Sequence, residues 1–468
     1  MIFFKAKLFI PKMTQESASR RVQSAENRFS RRGLYYSILA LFARIDFRQL
    51  SIPSRIRFLS HFRYTFLFLI TSVIASESPS IVYLTWIHDP TTTMTIHWHT
   101  AEEVTQEVSY RKVGDEIWQQ SSGVYVRIPK TQVVVHTLEL VDLEPGVDYE
   151  FHFSESNEMN RFRTMPESLD ASVRFVVGGD AYYYLDTFKK MNREIAQLNP
   201  DFIVVGGDIA YTHGHRVFFK GKGWQLRRWQ TFLRTWKEQM VTVDGRLIPI
   251  LPVVGNHDVR ASSMNLFSDH LLFYELFAFA DRSFSYHVLD FSSYLSLFIL
   301  DTGHIYHIEG EQTAWLKENL SQRENVPYKI AAYHVGAYPS VYPYRGGVPK
   351  QIRKEWCPLF EKYHLNVAFE HHNHAYKRTY PMKEEKIDPS GVIYMGDGSW
   401  GVPTRYPKNK KRAYLAKAKK LNAVCLVTLE RDGACIQAVS IDGKYIDEVN
   451  IVPSKELVSI NETRLLVY

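Results

Sequence analysis

Five apolar runs rich in β-branched residues each end in a short cluster of oxygen and nitrogen ligands. This repetition constrains the fold more than any other feature of the chain. The runs are Phe175-Val176-Val177, Phe202-Ile203-Val204-Val205, Ile250 to Val254, Ile330 to Tyr333 and Val367 to Phe369. The clusters behind them are Asp180, then Asp208 with Tyr211, Asn256 with His257, His334, and finally His372 with His374. In an open α/β sheet, ligands bind just beyond the carboxyl ends of the strands. Strand ends that carry Asp, Tyr, Asn and His therefore describe a metal site, with donors enough for two ions.

Each cluster has its own logic. Gly207 lets the backbone turn sharply after the second strand, which leaves Asp208 at the strand end and Tyr211 near enough to reach the same ion. A carboxylate and a phenolate are hard oxygen donors, suited to a highly charged cation. Asp180, after Gly178-Gly179, repeats this strand–turn pattern one crossover earlier. One Asp behind two Gly is more often a turn residue; the repetition at neighbouring strand ends argues for a ligand. Asn256 offers a neutral carbonyl oxygen, and His257 can hold a proton for donation or hydrogen-bond a substrate oxygen. His334, His372 and His374 supply nitrogen. Alternate residues of an extended strand share a face, so His372 and His374 are expected to point together and serve two neighbouring ions. His371 is expected to point the other way, into packing or into support behind the ligands.

The rest of the chain frames this site. Residues 1–63 hold 13 Lys and Arg against 3 Asp and Glu, so the formal +7 of the 468-residue chain leaves the remainder at −3. A mildly acidic body carries no footprint of a nucleic-acid groove, and no nucleic-acid partner is expected. An apolar stretch from Tyr64 to Ala75 follows Arg55, Arg57, His61 and Arg63 and ends in the small residues Ala75-Ser76. Basic, apolar, then small is the order of a secretory signal. The stretch falls short of the about 20 residues of a membrane-spanning helix. Export to the periplasm or the outside, with no stable membrane span, is the expectation. Since a signal belongs at the extreme N-terminus, the expected translation start lies downstream of Met1.

After this leader (1–78), short alternating segments separated by Asp89-Pro90, Gly114-Asp115 and Pro145-Gly146 predict an immunoglobulin-like sandwich over 79–166. Tyr149 stands where a tyrosine corner or a plain core Tyr would be. A further domain is expected over 167–455, with strands and helices alternating from Ser172 and strands again beyond Trp400, and a tail follows at 456–468. Phe188, Met191, Ile195 and Leu198 at helical spacing make a βαβ unit with the first two strands, so the sheet begins parallel. Gln312 to Leu320 and Gln351 to Tyr363 read as further helices. Cys425 and Cys435 flank the Asp432-Gly433 turn, where they either face each other in a hairpin or remain unpaired.

The ordered set Gly179-Asp180-Ala181-Tyr182, Gly207-Asp208-Ile209-Ala210-Tyr211, Gly255-Asn256-His257-Asp258, Ala331-Ala332-Tyr333-His334 and His371-His372-Asn373-His374 resembles the five blocks of the purple acid phosphatases, within the calcineurin-like metallophosphoesterases. The resemblance spans residues 80–451. It implies an α/β fold, a metallophosphoesterase β-sandwich flanked by helices, preceded by an all-β fibronectin-III-like domain. It also implies a hydrolase that cleaves phosphate monoesters of small molecules by attack of a metal-bound hydroxide. Asp180, Tyr211 and His374 would bind Fe(III). Asn256, His334 and His372 would bind a divalent ion (Zn, Fe or Mn), and Asp208 would bridge the two. His257 would be the catalytic acid and phosphate contact beside the metals.

The chain departs from the family in three places. Ala181-Tyr182 replaces the usual x-Gly of the first block, His371 replaces the Gly of the fifth, and Tyr342, Pro343, Tyr344 and Arg345 stand near the place of a His pair found in plant members. Two other readings stay open on sequence: a phosphodiesterase or nucleotidase on the same metals, and a non-catalytic surface protein whose β domain binds a partner. The complete ligand set argues against the last.

Overall fold

The computed structural model describes residues 79–454, apart from 102, 104–105, 155, 157, 214–221, 260–271, 397 and 409–410. The expected leader, with its apolar core at 64–75, and the tail at 456–468 lie outside the described residues. Among the described residues no helix is long and apolar enough to cross a membrane.

The alternating segments after Ile81 form two four-stranded antiparallel sheets. One orders Val82–Thr85, Met94–Thr100, Val134–Leu140 and Val124–Arg127; the other orders Gln119–Ser122, Glu107–Lys112, Asp148–Phe153 and Asn160–Arg163. Ile96, Trp98, Leu138 and Leu140 are buried in one core with Val108, Phe151, Phe153 and Phe162 of the second sheet. The Tyr149 hydroxyl accepts the Glu144 N–H at 2.9 Å, so this Tyr is a tyrosine corner.

Two buried histidines in this sandwich give it a pH dependence. His97 and His99 are held down to about 3, first by burial; His99 and Arg282 add to this at His97, and His136 and Arg234 at His99. His97 is hydrogen-bonded to Thr85 and Thr137, whereas neither ring nitrogen of His99 has a partner among the described residues. A folded-state value below the unfolded one of about 6.5 means that stability is fully present above that pH and is lost as pH falls toward 3. Each group should cost about 1.4 kcal/mol per pH unit across that window. The melting temperature should therefore fall steadily below pH 6, and His99→Phe should flatten the slope. An unchanged slope in that variant would disprove the assignment.

From Val173 the chain builds two mixed sheets packed face to face. The first orders Ile250–Val253, Phe202–Gly206, Val173–Gly178, Ala423–Glu430, Gly433–Ser440 and Tyr445–Ile451. Its first three strands are parallel, as the βαβ pattern predicts. The second orders His287–Phe291, Leu295–Ile299, Tyr328–Val335, Val367–His371, Ile393–Gly396, Tyr376–Thr379 and Leu415–Lys419. Alternation along each strand sends Phe175, Val177, Val204, Ile330, Ala332 and Phe369 into the core between the sheets. It sends Val176, Ile203 and Val205 outward onto the helices Leu185–Gln197 and Lys222–Gln239. Phe298, Ala331 and Ala368 face the helices Glu311–Gln322, Gly347–Glu355 and Cys357–Lys362 in the same way.

Two local expectations change. The helix read over Gln351 to Tyr363 is broken at Trp356. Pro358 supplies no N–H and disfavours helical backbone before it, so a new helix starts there. In the hairpin, Cys425 pairs with Ala438 and Cys435 with Thr428, so the two cysteines do not face each other; both are free thiols, as is Cys357.

Candidate metal centre

The topology brings the ligand clusters together. The strands Val173–Gly178, Phe202–Gly206 and Ile250–Val253 are neighbours in one sheet, and Tyr328–Val335 and Val367–His371 are neighbours in the other. Their carboxyl ends meet: His334 Nδ1 lies 3.0 Å from the Gly206 carbonyl oxygen, which ties the two sheets at the site.

Seven side chains converge as two groups. In one, the Tyr211 hydroxyl stands 2.9 Å from Asp180 Oδ1 and 3.2 Å from His374 Nε2, and Asp180 Oδ1 is 2.9 Å from His374 Nε2. In the other, His334 Nε2 stands 3.2 Å from Asn256 Oδ1, 3.2 Å from His372 Nδ1 and 3.3 Å from Asp208 Oδ2. Ligands about 2.0–2.2 Å from one ion are separated by about 2.9–3.5 Å in octahedral or tetrahedral geometry. Both groups have that spacing. Asp208 Oδ2 is buried and has no hydrogen-bond partner among the described residues, as a carboxylate oxygen committed to cations would be. The residues fit a two-cation centre.

The backbone reaches this arrangement through left-handed turns. Asp180, Asp208, Tyr211, His372 and His374 have φ of 57°, 51°, 51°, 76° and 59°. Such values are uncommon outside glycine and cluster at functional sites. The expected extended geometry of His372 and His374 is therefore corrected. The strand ends at His371, and the turn, rather than strand alternation, sends the two rings to different groups. His371 is buried behind the site against Gly179 and Gly206, where its ring leaves no room for a Cβ on either glycine. Gly207 turns at φ +83°, as its place after the strand predicts.

Electrostatics point the same way. Burial alone would raise Asp208, but His334, His257 and His372 outweigh it and hold the carboxyl well below the usual range. Burial, then Asp180 and Asp208, pushes the Tyr211 phenol well above 10. A phenolate there needs a compensating cation. Asp258 is pushed up to about 8 by burial and by Asp208; its carboxylate accepts the N–H groups of Ile209 at 2.8 Å and Gly255 at 3.0 Å.

His257 stands apart from the two groups. Its ring stacks on Tyr211 at 4.7 Å, Nδ1 is 2.5 Å from the His213 carbonyl oxygen, and Nε2 lies 3.9 Å from Asp208 Oδ2.

Several supporting residues were not visible as blocks. Arg228 stacks on the Tyr182 ring at 3.8 Å and donates to the Ala210 and Tyr182 carbonyls, tying the first two ligand loops together where the family glycine is missing. Asn373 accepts the N–H of Val341 and of Tyr342 at 2.8 and 2.9 Å. This seats the Tyr342 ring on His372, at 4.9 Å, and Arg405 donates to the Tyr342 hydroxyl at 2.6 Å. Tyr344 instead packs against Arg353 and Glu385. His304 contacts His334 edge to face at 5.5 Å. It follows the apolar strand Leu295–Ile299, so the strand-end pattern itself was the signal for it.

Comparison with known proteins agrees with this geometry. Residues 173–376 match the calcineurin-like phosphoesterase family, and residues 79–165 match the purple acid phosphatase N-terminal domain. Purple acid phosphatase 23 of Arabidopsis thaliana is 25% identical over 292 residues, covering 57% of this chain and 63% of that protein. Purple acid phosphatase 15 of the same plant is 23% identical over 290 residues, covering 57% and 54%. The chain thus spans less than two thirds of these relatives' lengths. In fold it is similar to a purple acid phosphatase from yellow lupin (Lupinus luteus) seeds, with a TM-score of 0.65 at 15% identity over 80% of this chain and 74% of that one. A structure of PhoD matches with a TM-score of 0.60 at 12% identity over 80% and 92%. The two-sheet fold with its strand-end donors is that of a calcineurin-like phosphoesterase. With the all-β domain in front of it, the chain has the domain order of the purple acid phosphatases and is similar to them.

Proposed function

We propose that the chain is a binuclear-metal acid phosphatase acting on phosphate monoesters of small molecules. The observation that carries this reading is the pair of donor groups, with the buried Asp208 Oδ2 making no hydrogen bond among the described residues. Asp180, Tyr211 and His374 would hold a ferric ion. Asn256, His334 and His372 would hold a divalent ion (zinc, iron or manganese), and Asp208 would serve both. Bound there, two cations would offset charge on the phosphoryl oxygens and acidify a coordinated water. The chain's own part is to orient and to move a proton. The His257 Nδ1 hydrogen is committed to the His213 carbonyl, so when the ring is protonated the second proton sits on Nε2, the atom available to protonate the leaving oxygen.

The same reading divides the chain into a leader (1–78), an all-β domain (79–166), a catalytic domain (167–455) and a tail (456–468). The order of the leader's basic, apolar and small residues supports export.

Iron-loaded, oxidised protein should be coloured through the Tyr211 phenolate, and Tyr211→Phe should bleach it. On a panel of nitrophenyl phosphate, alkyl phosphates and a phosphodiester, the monoesters should be cleaved faster. A colourless iron-loaded wild type would remove Tyr211 from the ligand set, and a preference for the diester would overturn the substrate class.

A further inference from the structure

A sixth strand end supplies a group that the metal reading leaves unused. Beyond Leu295–Ile299 the chain turns through Asp301, Thr302, Gly303 and His304. The Asp301 carboxylate accepts the N–H groups of His304, Ile305 and Tyr306, each at 2.8 Å, and the Ser285 hydroxyl at 2.6 Å. The Asp301 N–H in turn donates to Gln312 Oε1 at 2.8 Å. The loop is thus built to a fixed shape from buried groups, with Gly303 at φ +89° making the turn.

The imidazole it carries is fixed as well. The Thr302 hydroxyl accepts the Val335 N–H at 3.1 Å and lies 3.0 Å from His304 Nε2. A hydroxyl has one proton to give and two lone pairs, so with one pair taken by Val335 the Thr302 hydroxyl can still donate to Nε2 when the ring hydrogen sits on Nδ1. His304 is half-buried, and the ring hydrogen bond found among the described residues is the one at Nε2. The ring packs edge to face on His334, and Asp208, His334, His372 and His257 are its titratable neighbours. Neither holding the loop nor packing on His334 requires an oriented N–H at this position.

We infer that His304 is a substrate-contacting residue whose Nδ1–H donates to a non-bridging oxygen of the bound phosphoryl group. The inference rests on the phosphoesterase reading above and deepens it. A phosphoryl group presents several anionic oxygens, and pre-oriented donors that need no reorganisation are the effective ones. His257 serves the leaving side; His304 would serve the oxygens that stay with phosphorus.

The test uses metal-loaded full-length protein with inorganic phosphate as the probe, titrated calorimetrically. His304→Ala should weaken phosphate binding about 10- to 100-fold, the scale of one hydrogen bond to a charged group, while elemental analysis finds metal content unchanged. His304→Gln, which keeps an N–H donor, should recover part of the loss. Thr302→Val, which keeps the ring but frees its tautomer, should show a smaller loss of the same sign. Hydrolysis of nitrophenyl and alkyl phosphates should fall by the same factor, because the contacted oxygen does not leave. Phosphate affinity within about twofold of wild type in His304→Ala, with metals retained, would overturn the inference and leave the phosphatase reading standing. Metal loss as severe as in His334→Ala would also overturn it, making His304 a prop for that ligand. A metal-loaded wild type that neither binds phosphate nor cleaves any ester would overturn both readings.

Discussion

Asp208→Asn should strip metal from the protein more completely than loss of any other single donor. Asp208 Oδ2 lies 3.3 Å from His334 Nε2, and Oδ1 accepts the His257 N–H at 2.6 Å. The side chain is therefore locked in place, and substitution by the amide changes charge and donor character with little change in shape. Asn cannot bring a negative charge to two cations, and in one of its orientations it would aim N–H hydrogens at them. Asn256→Ala is the fitting comparison: Asn256 is neutral and belongs to one group, so the group of Asp180, Tyr211 and His374 should keep its ion. Elemental analysis should find less than about one ion per chain in Asp208→Asn and about one in Asn256→Ala, against about two in wild type. Phosphatase activity of Asp208→Asn should fall by more than about 10³-fold, beyond the loss of a single charge-stabilising donor. Equal metal content in the two variants would refute the bridging role.

The sequence made this site legible because each ligand follows a run whose burial depends only on local pattern. Val176 and Val177 alternate between helix and core whatever the rest of the chain does, so the strand ends could be located from the residues alone. Their division between two sheets could not be located in this way. It depends on pairings far apart in sequence and on the contact between Gly206 and His334, 128 residues apart. The turn at His372 and His374 was also hidden. Histidine tolerates left-handed backbone several-fold more often than most residues but gives no sign of when it adopts it, so extended alternation was the natural expectation. Arg405 and Tyr342 were invisible for another reason: each takes its meaning from a contact with the other and with His372. The register that separates Cys425 from Cys435 is fixed by the turn between them, where a shift of one residue exchanges the two faces of a strand.

His257→Ala should retain both metals and slow turnover by about 10²- to 10⁴-fold, the usual scale of lost general-acid assistance. Metal should stay because the ring contributes no atom to either donor group: it stacks on Tyr211, with Nε2 3.9 Å from Asp208 Oδ2. What Asp208 takes from this residue is the backbone N–H, which alanine keeps. The kinetic loss should depend on the leaving group. Nitrophenolate departs without a proton, so nitrophenyl phosphate should lose least; an alkoxide needs protonation as the bond breaks, so alkyl phosphates should lose most. The acid limb of the wild-type profile is a poorer test, since a coordinated water can titrate in the same range. Loss of metal in His257→Ala would make it a ligand. An equal loss on both ester classes would remove its role as proton donor; that uniform loss is expected of His304, which would contact an oxygen that does not leave. The two histidines are thus separable by one experiment: a slope against leaving-group pKa that steepens on removing His257 and stays put on removing His304.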